Sequence, residues 1–476
     1  MSITKRTVYE HIEALRKREY SSQELTGAYL SEIEKKDQSV GAFLFCDAHL
    51  SLEAAKEADK RLKEGDAPSL CGIPFAVKDN ICTKSIRTTA ASKILENFVP
   101  PYDAAVIEKL KGEGSVILGK TNMDEFAMGA TTETSAYKLT KNPVNPLLTP
   151  GGSSGGSCAA VSAGMVPFAL GSDTGGSIRQ PAAFCGCTGL CPTYGAVSRW
   201  GLIAFASSLD RIGPVTKNCR DNALVFSAIS GKDLRDATSV DSPFSLDTVT
   251  KDVRGLKIGI AKEFFSEGVS QGVKEAVLNA TEIFKSLGAS LVPISLPSFR
   301  YATAAYYIIS SAEASSNLAR YDGVRFASRL GEDHESLDSL YRQTRSEGFG
   351  KEVKRRIMLG TFVLSEGYFD NYYKKACQVR ELVKAEYDTA FEKCHIILSP
   401  ATPHTPYPIG SKKDDPVRLY MEDFLSVPSS LAGLPSLCLP CAKDENGLPV
   451  GMQLTGKRFS EDLLYSAGIA FEEVTK

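Results

Sequence analysis

Apolar residues recur at helical spacing through the first 66 positions. Leu25, Tyr29 and Ile33 fall on one face, and Ser21-Ser22-Gln23-Glu24 sets a serine three residues ahead of a glutamate, the arrangement of a capping box. The stretch 47–65, rich in Ala, Glu and Lys and closed by Gly65, predicts a second helix. Beyond it the period changes. Gly72-Ile73-Pro74-Phe75-Ala76-Val77 is an apolar run of strand length that ends on Lys78-Asp79-Asn80. Val116-Ile117-Leu118 repeats the type after a predicted helix at 103–113, and 256–261 and 395–398 repeat it again, alternating with helices over 271–287 and 371–394. Near the end, 436–442 and 448–454 flank Asn446-Gly447, a hairpin signal. Such alternation predicts the α/β class, with a buried, mixed central sheet.

The most unusual stretch is 149–199. Two clusters, Gly151-Gly152-Ser153-Ser154-Gly155-Gly156-Ser157 and Gly171-Ser172-Asp173-Thr174-Gly175-Gly176-Ser177, flank a small-residue apolar segment, 159–170, that reads as a buried helix and strand. Glycine admits unusual backbone angles and bares N–H groups. Two such loops beside a core element predict a site where main-chain amides face a ligand and serine hydroxyls carry protons or attack. Flexible linkers share the composition. They are not interrupted by core-like sequence, so a functional site is the better reading.

Composition then narrows the class. The 476 residues are 43% hydrophobic and 24% charged with a net charge of -2, which describes an ordinary globular protein with no global attraction to nucleic acid or acidic membranes. The first twenty residues are charged throughout and lack the apolar core of a signal peptide; the best apolar run, 159–170, is cut by Pro167. Twelve cysteines without a secretion signal predict reduced thiols and a cytoplasmic setting. With no repeat and no linker, the simplest organisation is one large domain: a helical layer over 1–66 and an α/β core over 67–476.

Four motifs compete with the serine loops. Gly114-Ser115-Val116-Ile117-Leu118-Gly119-Lys120-Thr121 spells a phosphate loop, but its middle residues read as strand, whereas a phosphate cradle needs a pliant loop opening a helix. Cys438-Leu439-Pro440-Cys441 precedes a polar turn rather than the helix a redox pair needs, and Cys185, Cys187 and Cys191 match no zinc spacing; buried structural cysteine fits both sets better. Of the five histidines, His11, His49, His334, His395 and His404, none forms an HExxH pair. Gly151 to Gly155 fits the G-x-S-x-G elbow, with His395 or His404 as possible partners; Pro143, Pro146 and Pro150 argue against the strand that an elbow requires. A lysine base is the alternative. Lys78 ends an apolar strand, where desolvation favours the neutral amine, and a neutral lysine can take a proton from serine.

Lys78, GGSSGGS at 151–157 and GSDTGGSIRQPAAFCGCTGLCPTYG at 171–195 together resemble the amidase signature family. The resemblance implies a single α/β/α domain with a mixed central sheet and a Ser-cisSer-Lys relay: Ser177 as nucleophile, Ser153 as the bridging serine after a cis peptide, Lys78 as base. It implies an oxyanion hole from the backbone of Thr174, Gly175, Gly176 and Ser177. Segments 121–129, 311–323 and 354–362 are similar to the A subunits of glutamyl-tRNA(Gln)/aspartyl-tRNA(Asn) amidotransferases, over essentially the whole chain. That similarity implies a glutaminase that supplies ammonia for amidation of misacylated Glu-tRNA(Gln) or Asp-tRNA(Asn). Arg356 and Asp423 would bind the carboxylate and ammonium of glutamine, with Tyr307 nearby and Met128 and Gly129 lining the pocket. It further implies B and C partner subunits in a heterotrimer, tRNA held by B, and ATP and magnesium used there, with no cofactor or metal in this chain. Cys187 and Cys191 depart from the valine and lysine expected at those positions. A free-standing amidase of the same family and a non-catalytic nucleotide-binding protein using 114–121 are the competing readings.

Overall fold

Eleven strands pair into one mixed sheet in a computed structural model that describes residues 3–65, 67–331, 336–412 and 415–475; His334 lies outside the described residues. In chain order they are β1 (Phe43–Cys46), β2 (Pro74–Lys78), β3 (Val116–Thr121), β4 (Phe168–Asp173), β5 (Thr188–Cys191), β6 (Arg211–Thr216), β7 (Lys257–Ala261), β8 (Ser290–Ile294), β9 (Ile396–Pro400), β10 (Ser436–Lys443) and β11 (Pro449–Gly456). Their spatial order is β1-β3-β2-β4-β6-β5-β10-β11-β9-β7-β8. Pairing is parallel within β3-β2-β4 and within β9-β7-β8, and antiparallel elsewhere. Every residue of β2 and β4 is buried, as expected of central strands covered on both faces.

Most of the predicted elements are present. Ser21 and Glu24 form their capping box, Asp47 accepts from the Leu50 amide, and Gly65 ends that helix in the left-handed region at φ 86°. A second capping box, Thr7 with Glu10, starts the helix Val8–Arg16. The C-terminal hairpin pairs β10 with β11 and carries a bulge between Pro440 and Ala442.

Three outcomes differ from the expectations. The first 66 residues are not wholly helical, because Phe43–Cys46 forms the edge strand β1 against β3. Its four residues are too few to display a period. β5, β6 and β8 were also not predicted. β6 contains Gly213 and Pro214, residues that normally demote a strand, yet a side chain at 213 would meet the Leu190 carbonyl oxygen at 2.0 Å, so close strand packing demands glycine there. Finally, the predicted helix at 371–394 spans Lys374–Ala390, after a π-type turn at Phe369–Tyr373.

The phosphate-loop pattern is strand. Gly119, Lys120 and Thr121 lie in β3, and the Lys120 amine is fully buried, donating to the Ile81 carbonyl and to Thr88 Oγ1 at 2.8 Å, with Asp79 3.8 Å away. A nucleotide phosphate does not fit there, which removes the nucleotide-binding reading. All twelve cysteines are free thiols. Among the described residues no group of His, Cys, Asp and Glu is arranged to hold a metal, and no helix is long and apolar enough to cross a membrane.

Candidate active site

Lys78 is the last residue of β2, and its neighbour β4 runs directly into the second glycine/serine loop. The first loop enters from the other side and opens the helix Gly155–Ser162. These elements deliver an amine and several hydroxyls to one buried point. Lys78 Nζ donates to Ser153 Oγ and to Ser154 Oγ, both at 2.8 Å, and to the Ser172 carbonyl at 3.1 Å. Three acceptors saturate an ammonium group. A base needs the reverse, a hydroxyl donating to a neutral amine, and burial supplies it: desolvation pulls Lys78 down from 10.5 to about 7, against the opposing charges of Asp124 and Asp173.

The two serine loops are laced together. The Gly152–Ser153 peptide is cis, and the Gly152 amide donates to Gln180 Oε1 at 2.8 Å. Ser154 N–H donates to the Ser177 carbonyl at 3.0 Å. Lys78 and Ser153 are fully buried while Ser177 keeps 8% exposure, so of the three, Ser177 is the one that reaches accessible space.

Residues 174–177 are held through the Thr174 hydroxyl and the carbonyls of Gly175, Gly176 and Ser177. Thr174 Oγ1 donates to Asp210 Oδ1 at 2.7 Å, the Gly175 carbonyl accepts from Ser426 Oγ at 2.6 Å, and the Gly176 carbonyl accepts from Gln180 N–H at 2.8 Å. Among the described residues, the N–H groups of Thr174, Gly175, Gly176 and Ser177 donate to no protein acceptor. Unspent amides in a rigid loop are the donor set that a developing oxyanion needs. Gly176 sits at φ 155°, and a side chain there would strike Ser426 Oγ at 2.3 Å.

Beneath the loop lies a group that the sequence does not single out. Arg179 is fully buried, forks onto both oxygens of Asp173 at 3.0 and 2.9 Å, and also donates to the Ser426 carbonyl, Ser429, Ser430 and Gln453. The guanidinium holds the Asp173 carboxyl well below its usual range, and Asp173 caps the Ile178 amide at 3.0 Å. The RQ pair stands in plain view two residues after Ser177, but nothing local says that an arginine is buried. Cys191 is buried too, and burial raises its thiol to about 12 despite Arg211 and Arg179 nearby; Cys187 rises to about 12 likewise.

Beside the amide-bearing loop the structure brings together Tyr307, Arg356 and Asp423 from three elements. Tyr307 OH donates to Asp423 Oδ2 at 3.1 Å. The Arg356 guanidinium carbon lies 4.6 Å from the ring centres of both Tyr307 and Tyr420, and Arg356 Nε donates to Glu352 Oε1 at 2.7 Å. Burial pushes the Asp423 carboxyl up to about 7, and its Oδ1 stands only 3.4 Å from where a Cβ on Gly176 would be. Tyr420 and Glu352, which orient the arginine, were not predicted. Met128 is fully buried, and Gly129 lies against the Asp124 carboxylate, 2.4 Å from its missing Cβ. A cavity of about 830 Å³ borders this corner, lined by Phe299, Tyr307, His404, Tyr420, Glu422 and Phe424. Neither predicted histidine partner bonds a site serine: His404 Nε2 sits 3.0 Å from Glu422, and His395 Nδ1 accepts from the Lys257 amide.

A mixed sheet whose central strands present a buried lysine and two serine loops is the architecture of an amidase. The chain belongs to the amidase family, whose model matches residues 24–465. More particularly, it is 53% identical to the A subunit of the glutamyl-tRNA(Gln) amidotransferase of Caldanaerobacter subterraneus subsp. tengcongensis, over 100% of this chain and 98% of that one. It is also 53% identical to the corresponding A subunit of Bacillus pumilus over the same shares. Among solved structures, the A subunit of the glutamyl-tRNA(Gln) amidotransferase of Thermotoga maritima superposes with a TM-score of 0.82 at 40% identity, covering 99% of this chain and 95% of that chain. The peptide amidase of Stenotrophomonas maltophilia gives 0.84 at 30% identity, covering 98% and 96%.

Proposed function

We propose that this chain is the glutamine-hydrolysing component of a tRNA-dependent amidotransferase. It releases ammonia that partner subunits use to amidate misacylated Glu-tRNA(Gln), Asp-tRNA(Asn) or both. The observation that carries this reading is one juxtaposition: an acid and a fork-shaped cation, Asp423 and Arg356, set beside the unspent amides of 174–177. Glutamine offers an α-ammonium to the first and an α-carboxylate to the second, and arginine can bind two carboxylate oxygens at once. Identity along the full length to the A subunits of glutamyl-tRNA(Gln) amidotransferases supports the same assignment.

Neutral Lys78 takes the Ser153 proton as Ser153 takes that of Ser177, and Ser177 Oγ attacks the side-chain amide carbon. The amides of 174–177 hold the resulting oxyanion, each donor being typically worth a few kcal/mol. Collapse breaks the C–N bond; the proton returns along the relay to the leaving nitrogen, and ammonia departs. Water, deprotonated the same way, attacks the acyl-serine and frees glutamate. ATP and magnesium would serve the partner that holds tRNA, so no step here runs through them.

A second reading, a free-standing amidase for a larger amide, draws on the cavity of about 830 Å³ that opens beside Tyr307 and Tyr420. Glutaminase assays of Ser177→Ala, Ser153→Ala and Lys78→Ala, alone and with partner subunits, decide the matter. Near-complete loss is expected in all three, since relay members act as a unit. Robust glutamine turnover by Ser177→Ala would overturn the assignment; turnover of peptide or aliphatic amides by the lone chain, without response to glutamine, would favour the second reading.

A further inference from the structure

One buried carboxylate near the relay has no part in the steps above. Asp124 follows β3 in the turn Asn122-Met123-Asp124 and is fully buried. Its oxygens accept from the amides of Thr131 (3.2 Å), Thr132 (2.9 Å) and Thr134 (3.3 Å) and from Thr134 Oγ1 (2.9 Å). Burial raises the Asp124 carboxyl above its usual range, and these donors together with the Lys78 amine oppose that rise; amides can only donate, so the hydrogen bonds favour the ionised carboxylate. Among the described residues no Lys or Arg comes within ion-pair distance of it.

The same carboxylate is wedged against the serine loop. A Cβ on Gly152 would fall 2.1 Å from Asp124 Oδ2, and one on Gly129 would fall 2.4 Å from its carboxyl carbon, so both glycines exist to admit it. The Asp124 amide also donates to the Ser153 carbonyl at 3.3 Å. Backbone and side chain thus grip the residue on each side of the Gly152–Ser153 bond, and Ser153 in turn touches the Lys78 amine.

We propose that Asp124 is a positioning residue for the relay: it seats Ser153 against Lys78 and keeps an uncompensated negative charge close to the buried amine. This rests on the assignment of Lys78 as the base. Of the groups that act electrostatically on that amine, Asp124 acts most strongly, ahead of Asp173, Cys158 and Asp210. Asp173 is neutralised by Arg179, Cys158 is a buried thiol pushed well up by desolvation, and Asp210 is itself raised to about 6 by burial. Tyr407, whose phenol is raised by burial, is a further titratable group that interacts with Asp124. The charge of Asp124 therefore offsets part of the desolvation that would otherwise leave Lys78 too weak a base.

The test is the pH dependence of kcat/KM for glutamine in the assembled complex, for wild type, Asp124→Asn and Asp124→Glu. Removing the charge lowers the proton affinity of Lys78, so Asp124→Asn is expected to move the acid limb to lower pH by about one unit and to reduce kcat at its optimum by roughly tenfold or more. Asp124→Glu keeps the charge but has no room at Gly129 and Gly152, so its acid limb is expected to stay in place while kcat falls. A wild-type acid limb in Asp124→Asn overturns the electrostatic role, and wild-type kcat in Asp124→Glu overturns the positioning role. If Asp124→Asn fails to fold, Asp124→Glu decides alone, because an acid limb displaced in a variant that keeps the charge also overturns the proposal. Lys78→Ala is the control: if it retains activity the base assignment fails, whereas an inactive Lys78→Ala beside an unshifted Asp124→Asn sinks this inference only.

Discussion

Lys78 and Asp423 share a physical predicament, since each is ionisable, buried and displaced toward neutrality near pH 7. Both displacements cost stability, in opposite pH directions. For Lys78, lowered from 10.5 to about 7, the unfolded chain binds more protons between those values, so its contribution to stability rises with pH across that window. The stability difference between wild type and Lys78→Met should therefore shift in favour of wild type by a few kcal/mol from about pH 7 to 10. Chemical denaturation at several pH values measures it, and a flat difference would show that Lys78 titrates normally. Asp423, raised from 3.8 to about 7, can pair with an ammonium only once ionised. The glutamine KM is thus expected to fall as pH rises from about 6 to 8, and Asp423→Asn should raise KM and abolish that trend. Arg356→Lys keeps a charge but loses the planar fork; a KM increase of roughly tenfold or more is expected, about 1.4 kcal/mol or above.

Within elements, the turn from β4 to the helix Arg179–Cys185 concentrates the structural demands. The Thr174 hydroxyl and the carbonyls of Gly175, Gly176 and Ser177 are tied down, and the amides of 174–177 are left unspent. That is possible because Arg179 anchors the helix start to Asp173 from below and reaches the segment around Ser426–Ser430. Replacing Arg179 by methionine strands a buried carboxylate, and the expected loss is about 3–5 kcal/mol in unfolding free energy. A change below about 1 kcal/mol in a urea titration would show the pair to be dispensable. The helix Lys351–Leu364 works differently: its inner face carries Glu352 and Arg356 against Tyr307 and Tyr420, while Met358 and Phe362 stand 72% and 43% exposed on the outside.

For the whole molecule, a net charge of -2 argues that the chain alone is a poor ligand for tRNA. Isolated protein is expected to bind tRNA only weakly, with affinity appearing when partner subunits are added; filter binding at fixed salt checks this. The sheet explains how one chain couples distant segments. Lys78, Ser177 and Asp423 are separated by 99 and 246 positions (177 − 78 and 423 − 177), yet β2 and β4 are neighbours and Asp423 lies against Gly176.

By itself the sequence determined the class and strands such as β2 and β4, and it singled out Lys78, Ser153 and Ser177, of which the structure puts Lys78 and Ser153 in hydrogen-bond contact. Short continuous apolar runs alternating with helices fit strands covered on both faces of an α/β sheet, and clustered glycines mark backbone that can approach a neighbour closely. Short or irregular strands such as β1 and β6 stayed hidden, because four residues show no period and Gly213-Pro214 argues locally against a strand that tertiary packing requires. Arg179, Glu352, Tyr420 and Asp124 were equally invisible: a charged or aromatic residue looks solvated in sequence until its partners, brought from far along the chain, surround it. Burial decided the rest. The sequence names an amine and two hydroxyls, but only a packed interior strips water from Lys78 and moves it toward the neutral amine.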